Sequence, residues 1–327
     1  MTAATQADGI GTQASISRAL RRLARSPEHR RAFETDGMLR QTLWPAACRY
    51  ILAEDRGGLL ERLPVLQNRG YRLTVEVVGE KAATLADVDG VMSEYLALLR
   101  AVPAVLGVPV QLGFDLSNVG SALSWELAAE NTARLLEAAA EQGAEVMLSM
   151  EESAQLPDIL GVFETLRAGH ANVGVTLQAY LHRTPDDVAR VAATGAKVRL
   201  VKGAYDEPPE IALPRGPELD ARYVDLIGQL LDAGVPTSLA SHDPQVHALA
   251  RERGLLSSVE EVEMLHGVRP AVLRGLREEG LPCRIYCVYG RNWWLHLLHR
   301  LAEHPPDVLE SLADLGDPGR TVFGAAY

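Results

Sequence analysis

Eight times between residues 71 and 304, a short run rich in β-branched and apolar residues is followed by a longer amphipathic stretch. The short runs lie at 71–78, 108–114, 145–150, 172–177, 197–202, 236–240, 259–265 and 282–288. Helical spacing of apolar residues predicts helices at 84–102, 121–142, 152–168, 185–194, 217–233, 243–254, 268–279 and 291–304. Parallel strands need crossover connections, and eight strand–helix units in succession close into a barrel. A doubly wound open sheet usually needs fewer strands, and no G-x-G-x-x-G follows the first run. The expected fold is therefore α/β, a (βα)8 TIM-like barrel. At ~150 residues per domain, the 327 residues leave room for that barrel and an appendage.

The appendage is N-terminal. The first ten or so residues read as a loose polar tail. Between Ser15 and about Arg62 the residues Leu20, Leu23, Leu39, Leu43, Trp44, Tyr50 and Ile51 recur at helical spacing, which predicts a helical arm. The D-R-G-G at 55–58 reads as a turn within it. The chain thus divides into residues 1–68 (tail and arm), 69–310 (barrel) and 311–327 (C-terminal tail). Thirty-two basic against forty-three acidic residues, a net charge of −11, argue against a nucleic-acid partner. Three cysteines, Cys48, Cys283 and Cys287, are too few for a disulfide framework and point to a reducing compartment. Cys283 and Cys287 read as packing in the last strand. No apolar signal core begins the chain, and the most apolar stretch, near 96–112, is broken by Arg100, Pro103 and Pro109. A cytoplasmic protein is expected, with peripheral contact at the inner membrane face left open.

In such barrels the active site lies at the C-terminal strand ends. Those ends carry Glu80, the segment 111–115, Ser149 and Glu151, Gln178, Lys202 and Tyr205, Ser241 and His242, His266, and Tyr286 and Tyr289. This mixed polar ring has no repeated carboxylates and no H-x-H pair, so it suits an organic ligand better than a metal. In R-L-V-K-G-A-Y at 199–205, two cations sit among apolar residues. They hold either a phosphate or electron-rich ring, or a structural ion pair. In A-S-H-D at 240–243, Asp243 reads as a helix N-cap before Pro244, while His242 sits where a ligand belongs. The last helix puts Trp293, His296, His299, Arg300 and Glu303 near one face. That face is solvated, or a weak metal site from His296, His299 and Glu303 (with His266, a metal-dependent hydrolase), or a cover over the mouth presenting Arg300 to a carboxylate.

Together these segments resemble the flavin-dependent proline dehydrogenases. The matching pieces are V-V-G-E at 77–80, Q-L-G-F-D-L-S at 111–117, L-Q-A-Y-L-H-R-T at 177–184 and R-L-V-K-G-A-Y at 199–205. A-S-H-D at 240–243, H-G-V-R-P at 266–270, Y-C-V-Y-G at 286–290 and R-L-A-E at 300–303 continue the family's order and spacing. The resemblance covers about residues 45–310. It implies a distorted (βα)8 barrel with FAD over the C-terminal strand ends. It further implies flavin contacts from Gln178, Arg199, Lys202, Gly203, Ala204, Tyr205, Ser241, His242 and Glu303, with Ser241 keeping the hydroxyl of the family's usual threonine. Arg199 and Lys202 would then serve the pyrophosphate and the electron-rich flavin edge.

The substrate pocket departs from the family pattern. There a lysine on the second strand, an aspartate on the third and Y-x-x-R-R on the last helix surround proline. In this sequence Val108 takes the lysine's place, Ser149 the aspartate's, His296 the tyrosine's and His299 the first arginine's, while Arg300 and Tyr286 match. A charge-assisted hydrogen bond is worth about 1.5–3 kcal/mol, so losing several weakens the carboxylate clamp. The expectation is a flavin-dependent dehydrogenase acting by hydride transfer on a small amine or amino-acid-like substrate other than free L-proline, in a specialised pathway. Arg300 would hold any carboxylate, and His299, His296 or Tyr286 would position the nitrogen or take its proton. The alternatives are a genuine L-proline dehydrogenase passing electrons to a quinone or other redox partner, and a non-catalytic flavin-binding descendant. No metal is expected.

Overall fold

In the computed structural model, which describes residues 3–79 and 81–327, eight parallel strands close into one barrel in chain order. They are β1 (Arg72–Val77), β2 (Gln111–Phe114), β3 (Val146–Leu148), β4 (Val173–Gln178), β5 (Val198–Val201), β6 (Thr237–Ala240), β7 (Glu261–Leu265) and β8 (Cys283–Tyr289). The ladder from Arg72↔Arg284 to Val77↔Tyr289 joins β1 to β8 and closes the ring. Outside it lie α5 (Leu85–Leu106), α6 (Trp125–Glu141), α7 (Leu156–Arg167), α8 (Thr184–Ala192), α9 (Pro217–Asp232), α10 (Pro244–Glu252), α11 (Pro270–Glu278) and α12 (Trp294–Glu303).

Side chains alternate along each strand with a period of two. One set, including Leu73, Val75, Leu112, Phe114, Leu200 and Ile285, is fully or almost fully buried in the main apolar cluster. Each such side chain contributes about 1.5–3 kcal/mol. The other set fills the lumen, and here it is polar: Thr74, Gln111, Thr176, Arg199 and Glu263 are all buried and joined by hydrogen bonds. Barrel interiors usually hold bulky branched residues. This one is held partly by charge.

The N-terminal arm comprises α1 (Ala3–Ala24), α2 (Pro27–Thr35), α3 (Gly37–Ala47) and α4 (Arg56–Gln67). Residues from Ala3 onward are helical, where the sequence suggested a loose tail. The D-R-G-G segment is the start of α4, not a turn: the Asp55 carboxylate accepts from the Gly58 amide at 2.9 Å and caps the helix. A second apolar cluster fastens the arm to α12, with the Phe33 ring edge-on to Trp293 at 4.6 Å.

The C-terminal stretch is ordered structure too. Helix α13 (Asp307–Gly316) spans the expected boundary at residue 310, and Arg49 grips its buried Asp314 through two 2.8 Å bonds. Tyr327 stacks on His266 at 5.4 Å and shares a 2.9 Å hydrogen bond with it. Among the described residues, no helix is long and apolar enough to cross a membrane.

Candidate active site

The floor of the site is Arg199. Its Nε donates to Glu263 at 2.8 Å and its Nη2 to both Glu263, at 3.1 Å, and Gln111, at 3.2 Å. Nη1 donates to Thr176 at 3.4 Å. Guanidinium has five N–H donors, so four are committed inside the barrel. The guanidinium also lies 4.7 Å from the centroid of the Tyr286 ring. The ion-pair reading of Arg199 therefore describes most of its bonding.

Above this floor the inward residues are Glu76, Gly113, Ser149 and Tyr286. The Tyr286 hydroxyl donates to Glu76 Oε2 and lies within hydrogen-bond reach of the Ser149 hydroxyl. A Cβ on Gly113 would stand 2.4 Å from the Tyr286 oxygen, so glycine makes room for that phenol. Burial raises the Glu76 carboxyl to about 7, although the Tyr286 hydrogen bond and the nearby Arg199 and Arg300 charges pull it down. Burial and the Glu76 carboxylate likewise push the Tyr286 phenol up. Glu76 was not singled out from the sequence. Its signal was the alternation T-V-E-V at 74–77, which puts Glu76 on the same face as Thr74.

The mouth opens into a cavity of about 610 Å³, within the range of organic-ligand sites. Its walls include Asp115 and Glu151 from the strand ends, Lys81, Tyr205, His299 of α12, and Arg25 and Arg31 of the arm. Burial and the neighbouring Glu151 and Glu76 hold the Asp115 carboxyl well above its usual range. The arm straps this mouth: Arg21 donates to the Ala204 carbonyl at 2.9 Å, and Ser17 to the Ala302 carbonyl at 2.7 Å.

Two expectations about position need correction. Val108 does not face the site. It precedes β2, is 48% exposed and lines a separate cavity with Tyr71, Glu145 and Arg284 at the opposite end of the barrel. The inward positions of β2 are Gln111 and Gly113, so the comparison with a lysine at Val108 fails on register. Lys202 does not join Arg199 at the lumen either. Three residues apart on a strand means opposite faces. Lys202 Nζ is held outside the barrel by Asp220 of α9 and, at 2.6 Å, by the helix-capping Asp243. Glu80 lies outside the described residues.

The remaining candidates cluster around the mouth. His242 Nε2 accepts the Leu265 amide at 2.9 Å, which leaves its Nδ1–H as a donor. The Ser241 hydroxyl accepts the Asp243 amide at 3.2 Å. Burial, then the Arg300 charge, lowers His242 to about 3 and His299 to about 4, and the same pair holds His296 well below its usual range. These imidazoles are neutral at pH 7. Both terminal nitrogens of Arg300 are engaged by Glu303 at 2.8 Å. Among the described residues no group of three or more His, Cys, Asp or Glu side chains is arranged for a metal.

Several buried polar atoms have no partner among the described residues: Gln178 Oε1, Tyr180 Oη, His296 Nε2 and Arg300 Nε. Such orphans are costly unless a ligand satisfies them. Gln178 is 2% exposed, with its Nε2 bound to the Glu151 carbonyl, so its oxygen suits the N–H on the polar edge of a flavin ring. Beside it, Gly203 has φ +112°, and a Cβ there would strike the Tyr180 ring at 2.2 Å. These features fit the FAD that the sequence resemblance implies.

Comparison with known proteins agrees. The proline dehydrogenase family profile matches residues 59–303. The chain is 30% identical over 281 residues to a proline dehydrogenase of Deinococcus radiodurans, covering 83% of this chain and 90% of that one. It is 29% identical over 267 residues to proline dehydrogenase 2 of Bacillus subtilis, covering 80% and 88% respectively. Among solved structures, proline utilization A from Bdellovibrio bacteriovorus, inactivated by N-propargylglycine, superposes with a TM-score of 0.75 at 19% identity. That match covers 88% of this chain but only 36% of the longer protein, and it speaks for the fold.

Proposed function

The chain belongs to the proline dehydrogenase family, whose members are FAD-dependent oxidoreductases acting on a CH–NH group, and we propose that its substrate is a small amine or amino-acid-like compound with a weakened carboxylate grip. The observation that supports this reading most is Arg300. Its terminal nitrogens, the fork that would clamp a carboxylate, are already taken by Glu303, and His299 stands where the family has a second arginine. When bound, FAD would supply the hydride acceptor for oxidation at the carbon beside the nitrogen. Gln178, the uncommitted N–H of Arg199, the backbone of 203–205, Ser241 and the Nδ1–H of His242 would hold it. Tyr286 and Ser149 line the space above Arg199 where the substrate nitrogen would sit, and the arm borders the mouth. Neutral His299 accepts a hydrogen bond without competing for the substrate's positive charge.

A second reading, oxidation of L-proline itself, is favoured by the names of the curated relatives. In either case the electrons leave for a quinone or another redox partner, which brings the protein to a membrane surface if the acceptor is lipid-soluble. Anaerobic mixing of the FAD-loaded protein with L-proline and with pyrrolidine separates the readings through the loss of visible flavin absorption. The proposal expects kcat/KM values within about tenfold of each other. A preference for L-proline of roughly a hundredfold or more, about 2.7 kcal/mol, establishes an intact clamp and overturns it. Bleaching by no amine at all identifies a flavin-binding protein without this activity.

A further inference from the structure

The half-buried carboxylate of Glu76 has no part in the reading above. We propose that Glu76 is the specificity-determining residue that receives the substrate's protonated nitrogen, so that Glu76, Gly113, Ser149 and Tyr286 form a subsite for a small secondary ammonium ion. This rests on the site being an amine dehydrogenase.

The geometry is specific. Glu76 projects into the lumen from β1, beneath the cavity mouth, and remains partly accessible. One carboxylate oxygen accepts from Tyr286, and the other accepts no hydrogen bond among the described residues. Next to it Gly113 carries no side chain, and the Tyr286 phenol occupies the room this leaves. The cations nearby are already engaged: Arg199 by Glu263 and Arg300 by Glu303. A partly accessible anion with one idle oxygen and without a dedicated cation is the complement of an ammonium group. The third strand offers only the Ser149 hydroxyl, so Glu76 is the acid that this layer provides. The charged and titratable groups facing it are Tyr286 of β8, Arg199 of β5, Arg300 of α12, Asp115 after β2 and Tyr95 of α5. The rise of the carboxyl toward neutrality agrees with a group awaiting a partner.

The test uses FAD-loaded protein with its flavin kept reduced by dithionite, so that no amine turns over, and measures binding by titration calorimetry. The probes are pyrrolidine, an amine without a carboxylate, and tetrahydrofuran-2-carboxylate, proline's ring with oxygen replacing nitrogen. Glu76→Gln keeps an acceptor for Tyr286 but removes the charge. It should weaken pyrrolidine roughly tenfold to a hundredfold and leave tetrahydrofuran-2-carboxylate unchanged or tighter. Tyr286→Phe, which releases the second oxygen, should keep or improve pyrrolidine affinity. In the unmutated protein, pyrrolidine affinity should rise with pH through about 7, and that of the oxygen analogue should not. Equal pyrrolidine affinity in Glu76→Gln, a flat pH profile in the parent, or no pyrrolidine binding by the parent overturns the proposal. Binding as expected, with no amine able to bleach oxidised flavin, removes the dehydrogenase reading and leaves the ammonium subsite standing.

Discussion

Replacing Glu263 by glutamine removes the countercharge of Arg199 at the centre of the barrel while keeping volume and an acceptor for Thr74. The two side chains are 5% and 2% exposed, and two hydrogen bonds join them. Loss of one partner strands a desolvated guanidinium, which costs about 3–5 kcal/mol. Contact with the Tyr286 ring at 4.7 Å offsets only about 1–2 kcal/mol of a desolvated cation's penalty. At about 2–4 °C per kcal/mol for chains of a few hundred residues, the melting temperature should fall by roughly 6–20 °C. Urea unfolding followed by far-UV circular dichroism measures the change. The double variant Arg199→Met, Glu263→Leu removes both charges and should recover most of the loss, since apolar residues replace buried pairs at little cost. A Glu263→Gln protein within about 1 kcal/mol of the parent would falsify the claim that charge pairing holds this lumen, as would a double variant no better than the single one.

Other sites give independent checks. Gly267 has φ +77°, and a Cβ there would lie 1.6 Å from the Arg49 carbonyl oxygen, so Gly267→Ala should cost about 2–4 kcal/mol in urea unfolding or yield insoluble protein. Gly113→Ala brings a methyl to 2.4 Å from the Tyr286 oxygen and should force the phenol aside, costing about 1–3 kcal/mol in urea unfolding. Gln178→Ala deletes an orphaned acceptor; FAD retention after gel filtration should fall roughly fivefold to fiftyfold, with far-UV circular dichroism unchanged. His242 and His266 are lowered to about 3 by burial, whereas unfolded histidines protonate near 6.5. The unfolded chain therefore binds more protons below 6.5, and these groups' contribution, complete above that pH, is lost as pH falls toward 3. The free energy of urea unfolding should decline from about pH 7.5 to 5 by up to about 1.4 kcal/mol per pH unit per histidine. Glu76, raised to about 7, acts in the opposite sense between 4.5 and 7.

The barrel was legible in the chain alone, because alternating short apolar runs and amphipathic stretches leave few ways to bury both faces of a parallel sheet. The chain also marked the family, through segments such as R-L-V-K-G-A-Y at 199–205, and it placed Asp243 as a cap. What it did not settle were the matters decided across strands. Arg199 and Lys202 are near neighbours in the chain, yet the pleat sends one to Glu263 in the lumen and the other to Asp220 outside. Val108 fell at the wrong end of the barrel because only the ladder, with Thr74 opposite Gln111, fixes how far β2 rises. Glu76 meets Tyr286 from strands more than two hundred residues apart in sequence, joined only when β1 closes on β8. Periodicity is a local property of a chain, whereas the meeting of charges depends on closure and register, and those exist only once the barrel has formed.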